Sequence, residues 1–114
     1  MTDITQQFQA LGKAIQFAQQ SHNVTGQNLA NVNTPDYKTR EVSFQQLLES
    51  IESHSPELTV YEIKETPGLE ERPNGNNVDM EREFGLIKKN SLVYQTLSQL
   101  LGAKMGIMQR SISG

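Results

Sequence analysis

Residues 28–38 read Asn-Leu-Ala-Asn-Val-Asn-Thr-Pro-Asp-Tyr-Lys (NLANVNTPDYK), a helix-compatible run that ends abruptly. Pro35 pushes Thr34 out of the α region towards extended geometry, which favours ending the helix between Asn31 and Asn33. Asn tolerates the left-handed conformation common at helix C-caps. Pro35 and Asp36 suit the central positions of a type I turn. Tyr37 is placed to fold its ring back while its hydroxyl finds a polar partner. Locally the stretch is a helix terminator, and Pro35→Ala is expected to let the helix run on.

Upstream, Ile4, Phe8, Leu11, Ile15, Ala18, His22, Thr25, Leu29 and Val32 recur at steps of four and three. That spacing lays one seam along a helix over residues 1–33. Residues 78–114 repeat the pattern through Met80, Phe84, Ile87, Ser91, Tyr94, Ser98, Leu101, Met105, Met108 and Ile112. A second row beside it, Leu86, Val93, Leu97, Leu100 and Ile107, makes a face too wide for one helix partner. Asp79, Glu81 and Glu83 near its start, with Lys104 and Arg110 near its end, suit the helix dipole. Ala10, Ala14 and Ala18 are four apart, as are Gly102 and Gly106. Either a neighbouring helix approaches closely there, or these are weak helix positions on a solvated surface.

The middle has another character. Residues 34–40 form the turn, and residues 41–52 carry a short helix signal. There Ser43 and Gln46 fit a capping box, with Val42 and Leu47 as its hydrophobic staple. Residues 53–77 are polar and Pro-rich. Leu58 to Lys64 (LTVYEIK) has the propensity for one strand or extended segment. NGNN at 74–77 reads as a turn before a helix whose N-cap is Asn77 or Asp79. The fold class expected is therefore mainly α: long terminal helices packed as a coiled-coil-like pair around a short helix and an extended, β-containing excursion. With 35% hydrophobic residues, no Trp and a mean hydropathy of −0.56, the 114-residue chain is expected to be elongated and completed by assembly.

A net charge of −3 argues against a nucleic-acid partner. No apolar run reaches the roughly 18–20 residues needed to span a bilayer, and the N-terminus lacks the basic start and apolar core of a cleaved signal. Without cysteine, disulfides, thiol catalysis and thiolate metal sites are excluded. His22 sits on the N-terminal seam and His54 in a Ser-rich stretch, neither beside a residue pattern that makes a base. The acidic run at 79–83 lacks the ligand spacing of a calcium loop. No enzyme activity, cofactor or metal is expected.

The stretch Leu29-Ala30-Asn31-Val32-Asn33-Thr34-Pro35-Asp36-Tyr37-Lys38 resembles the signature of the axial family of bacterial flagellar rod and hook proteins, usually Ala-Asn-x-x-Thr-Pro-Gly-Tyr. Gly75-Asn76-Asn77-Val78-Asp79, Tyr94-Gln95 and Leu97 to Leu101 resemble the C-terminal pattern of its rod subunits. The resemblance covers about residues 4–48 and 73–114 in the right order. It departs at Asp36, where the family has glycine, and a positive φ there would alter the turn type.

The resemblance implies a non-catalytic subunit of the drive shaft in the flagellar basal body, located in the periplasm. Export would run through the flagellar type III apparatus without a cleaved signal peptide. Expected partners are other copies of itself, adjacent rod proteins and a ring-side adaptor. The signature turn (Ala30, Asn31, Thr34, Pro35, Asp36, Tyr37) would redirect the chain. Assembly would use Ile4, Phe8, Leu11, Ile15 and Leu29, and on the C-terminal helix Phe84, Ile87, Tyr94, Leu97, Leu101, Gly102, Met105, Met108 and Ile112. A soluble helical adaptor or export chaperone is the competing class.

Overall fold

The computed structural model describes residues 3–55 and 61–113. Helix α1 spans Ile4–Ala30, strand β1 Arg40–Val42, helix α2 Phe44–Glu52, strand β2 Ile63–Glu65 and helix α3 Met80–Ser113. The chain is mainly helical, with the two long terminal helices, short helix and small strand pair that its sequence pattern implies.

Each boundary has a local cause. Asp3 starts α1 with a full capping box: its carboxylate accepts the Gln6 N–H at 2.8 Å, and the Gln6 side chain accepts the Asp3 N–H. Ser43 caps α2 by accepting the Gln46 N–H. The reciprocal half of that box is absent, because the Gln46 side chain accepts the Glu62 N–H and the Ser43 N–H goes to Glu62 O. Gln46 thus ties α2 to the approach of β2. Val42 and Leu47 are buried together as the staple requires.

Arg40–Val42 is a strand, which its sequence does not announce. It pairs antiparallel with β2 so that Arg40 faces Glu65 and Glu41 faces Lys64. The register places opposite charges across the ribbon, while the Arg40 guanidinium itself turns to the Gln27 side chain and the Tyr37 ring. The expected extended segment at 58–64 overlaps β2 only at Ile63 and Lys64, and its residues 58–60 lie outside the described residues.

Helices α1 and α3 run antiparallel. Lys104 donates to Gln7, Gln19 to the Tyr94 hydroxyl, and Asn28 to the Glu83 carboxylate. The molecule measures 64 × 25 × 17 Å, with a radius of gyration of 17.5 Å. A compact chain of this length would have a radius near ~13 Å.

The apolar core is not the expected seam between the long helices. It lies between α1 and the middle segment, where Val24, Val42, Leu47 and Tyr61 are buried with Phe17 and Ile51 packed against them. Phe17 meets the Tyr61 and Phe44 rings edge-on, with centroids 5.6 and 5.8 Å away. Buried Lys13 donates to Ser50 O, in the last turn of α2, where the helix dipole favours a cation. His22, expected on the seam, is exposed. One helix can bury only part of its circumference against each neighbour, and α1 has two. The middle segment takes the Phe17 and Val24 side, while the expected seam is buried at Ala18 and Thr25 and half-buried at Phe8, Leu11, Ile15, Leu29 and Val32.

The glycines of α3 are not close-packing points within the subunit. A Cβ at Gly102 would meet nothing within 4 Å, and one at Gly106 only the Arg110 guanidinium at 3.8 Å. Gly102→Ala should therefore stabilise the isolated chain, by up to about 1 kcal/mol in denaturant unfolding. Normal monomer stability with impaired assembly would place a close helix approach between subunits.

Candidate functional site: a turn-on-turn lock

At one end of the α1–α3 pair, the signature turn and residues 72–83 close on each other through a buried polar network. It begins with the carbonyls that α1 leaves unpaired at its C-terminus. Asn31 is the C-cap, with φ −105°, so the expected left-handed cap does not occur. Asn31 instead turns its side-chain amide back to Gln27 O at 2.8 Å. Local N–H groups reach Asn28 O, Leu29 O and Asn31 O, and carbonyls from the C-cap into the turn gain further partners from far along the chain. The Asn76 amide donates to Asn31 O and Thr34 O, both at 2.8 Å, and Arg72 donates to Val32 O. The Arg72 cation also suits the negative end of the α1 dipole.

Asn76 is fully buried, and every hydrogen-bonding group of its amide is used. Its carbonyl oxygen accepts the Val78 N–H at 2.8 Å and the Arg72 guanidinium at 2.7 Å. Asn77 is not the helix cap: its side chain accepts the Thr39 N–H at 2.7 Å, and its own N–H donates to Tyr37 O. Asp79 caps α3 instead, accepting the Arg82 N–H at 3.2 Å.

Asn28 forms the second node. Its carbonyl oxygen accepts the Tyr37 hydroxyl at 2.9 Å and the Arg40 N–H at 3.1 Å, while its amide donates to Arg40 O and Glu83. The Glu83 carboxylate, fully buried, also takes Arg82 at 2.8 Å. Tyr37 thus finds the polar partner its position implies, with Arg40 over its ring at 5.6 Å.

Asp36 departs from the expected turn. The Tyr37 N–H reaches Thr34 O at 3.3 Å, which closes a turn centred on Pro35 and Asp36, yet Asp36 has φ +60°. Positive φ at the third turn position is the type II pattern, not type I. Asp36 donates its N–H to Asn74 O, and its carboxylate lies against Gly75. A Cβ on Gly75, itself at φ +83°, would sit 2.1 Å from the Asp36 carboxylate and 3.3 Å from its Cα. The two turns therefore interlock, backbone against backbone.

Of the expected signature residues, Asn31, Thr34, Asp36 and Tyr37 enter this lock, while Ala30 and Pro35 stay on its exposed side. Asn28, Arg72, Asn76 and Glu83 were missed as site residues. Burial of such polar side chains requires partners, but those partners lie up to 55 residues away. The one signal available was local, the Gly75-Asn76-Asn77 run. Because Asn76 and Arg72 satisfy the end of α1, Pro35 is not its sole brake. Pro35→Ala should leave far-UV helix content unchanged and cost about 0.5–1 kcal/mol, from added freedom of the unfolded chain.

The fourteen expected packing residues divide differently. Phe8, Leu11, Ile15, Leu29, Ile87, Leu97, Leu101 and Met108 are half-buried, and Ile4, Phe84, Tyr94, Gly102, Met105 and Ile112 are exposed. None is fully enclosed, so these apolar residues do not form the core.

Fold and site together define a protein built from paired terminal helices, held at one end by a structural lock. No protein-family model matches the chain. Over 112 residues it is 34% identical to flagellar basal body rod protein FlgB of Aquifex aeolicus, covering 90% of this chain and 89% of that protein. It is 29% identical over 119 residues to FlgB of Bacillus subtilis, with coverage of 93% and 92%. Against FlgB of Escherichia coli it is 29% identical over 137 residues, with coverage of 91% and 96%. The chain belongs to the FlgB family of flagellar basal body rod proteins. No helix among the described residues is long and apolar enough to cross a membrane.

Proposed function

We propose that the chain is a structural subunit of the proximal rod, assembling through its terminal helices to carry torque from the motor ring towards the hook. The observation that carries this reading is the state of α3. After Glu83 none of its described residues is buried, and Phe84, Leu92, Met105, Ile107 and Ile112 are at least half exposed. Helix α1 covers only the middle of the wide apolar face, and both flanks stay open. A face of this kind is completed by neighbouring subunits. Stiffness would come from close packing of those helices in a tube.

On this reading the partners are other copies of the chain, adjacent rod proteins and a ring-side adaptor, and the chain reaches them through the flagellar type III export apparatus. The lock serves the subunit's shape, since it sets where α1 ends and where α3 begins. Fractionation of basal bodies tests the assignment. The chain should remain in purified rods. Recovery only in a soluble complex with a client would favour an adaptor or export chaperone instead.

The exposed flanks also bear on the free subunit. Its far helical arms should be weakly ordered in dilute solution and gain helix on assembly, which would keep the chain threadable during export. Circular dichroism of dilute monomer checks this. A fully helical, cooperatively melting monomer would count against it.

A further inference from the structure

Charge is sharply divided along the chain. Residues 36–83 hold twelve of its thirteen acidic residues against five basic ones, whereas residues 84–114 hold Lys88, Lys89, Lys104 and Arg110 and no acid. Each region also exposes apolar side chains. On α2, Phe44 and Leu48 are 57% and 41% exposed. They share a stripe with Glu52 at four-residue steps, and Glu49 lies beside it, both carboxylates exposed. On one flank of α3, Leu92, Val93, Leu100 and Ile107 are 64, 38, 45 and 53% exposed. Exposed Lys89 and Arg110 stand at the two ends of that flank.

We infer that the acid-edged α2 face of one copy docks on the basic-ended α3 flank of the next. This rests on the self-assembly reading above and adds which surfaces meet. The two patches are complementary in charge, and both are apolar at the centre. One α2 face seated on one α3 flank leaves one of each free on the joined pair, so the contact propagates as an open chain. The reciprocal arrangement, in which each copy's α2 face meets the other's α3 flank, would close as a dimer. Glu49 and Glu52 lie within one turn at the end of α2, whereas Lys89 and Arg110 stand about 32 Å apart along α3, so the carboxylates meet one end of the flank. The charges choose the partner, and the apolar side chains supply the buried surface.

Charge reversal on the full-length chain tests the pairing, with association read by sedimentation and fold by circular dichroism. All four charged side chains are exposed, so both variants should match the spectrum of the unaltered chain. E49K/E52K alone and K89E/R110E alone should each associate about tenfold more weakly or worse. Mixed in equal amounts they should recover association, because each variant's intact patch meets the other's intact partner and the two reversed patches meet each other. Association of either variant at the unaltered strength would overturn the α2–α3 contact while leaving self-assembly standing. Failure of the mixture to recover would overturn it too. Failure of the unaltered chain to associate under any condition would overturn the self-assembly reading and this contact with it.

Discussion

Asn76→Asp should destabilise the chain by about 3 kcal/mol in denaturant unfolding, far more than a one-atom exchange normally does. The substitution keeps the oxygen that accepts from Val78 and Arg72 but replaces the amide nitrogen that donates to Asn31 O and Thr34 O. Each carbonyl keeps its backbone donor, the Thr34 or Tyr37 N–H, but loses the amide and faces an oxygen on a fully buried side chain. Arg72 offsets part of the added charge, which holds the cost below that of a bare buried carboxylate. The sign with pH follows directly. Protonation of the introduced carboxyl returns one O–H donor, so the loss should shrink as pH falls and grow as pH rises. Amide exchange should report the damage locally, as faster exchange at Thr34, Tyr37 and Thr39 than in the body of α1. A variant as stable as the original would mean that Asn76 does not close α1.

The second large effect joins two positions 39 residues apart. Gly75→Ala should cost about 2–3 kcal/mol, combining positive-φ strain with collision against Asp36. The Asp36 carboxylate can swing aside. Its Cα, 3.3 Å from the new methyl, moves only if the bond from Asp36 N–H to Asn74 O opens. Asp36→Gly alone should change stability by no more than about 0.5 kcal/mol, because relief of left-handed strain is offset by the larger entropy loss of glycine. Together the substitutions should cost less than their sum by about 1 kcal/mol, as expected of residues in contact. A double-mutant cycle of thermal or denaturant melts reads this coupling. Strict additivity would mean that the turns are adjacent without bearing on each other.

These cases separate the kinds of information the chain carries. Local chemistry made the helices legible. The step of three and four marked α1 and α3, Ser43 supplied the start of α2, and Pro35 with its neighbours predicted a stop at Asn31 to Asn33, just past the observed end at Ala30. The oddity of Asp36 was visible as a residue standing where glycine is usual. The width of the α3 face was legible too, since periodicity alone counts how many apolar rows a helix carries.

Tertiary structure decided what each row faces. A seam read from spacing has no partner assigned to it, and here the apolar core gathers at Phe17 and Val24, beside a stripe of which Ala18 and Thr25 are buried. The type II turn at Asp36 depends on Asn74 and Gly75, and the closure of α1 depends on Arg72 and Asn76. Helix capping and periodicity act within a few residues, so one chain segment displays them. A buried polar lock joins groups brought together only when the ends of α1 and α3 meet. The desolvation cost of each group shows that a partner must exist, but which partner is a property of the folded chain.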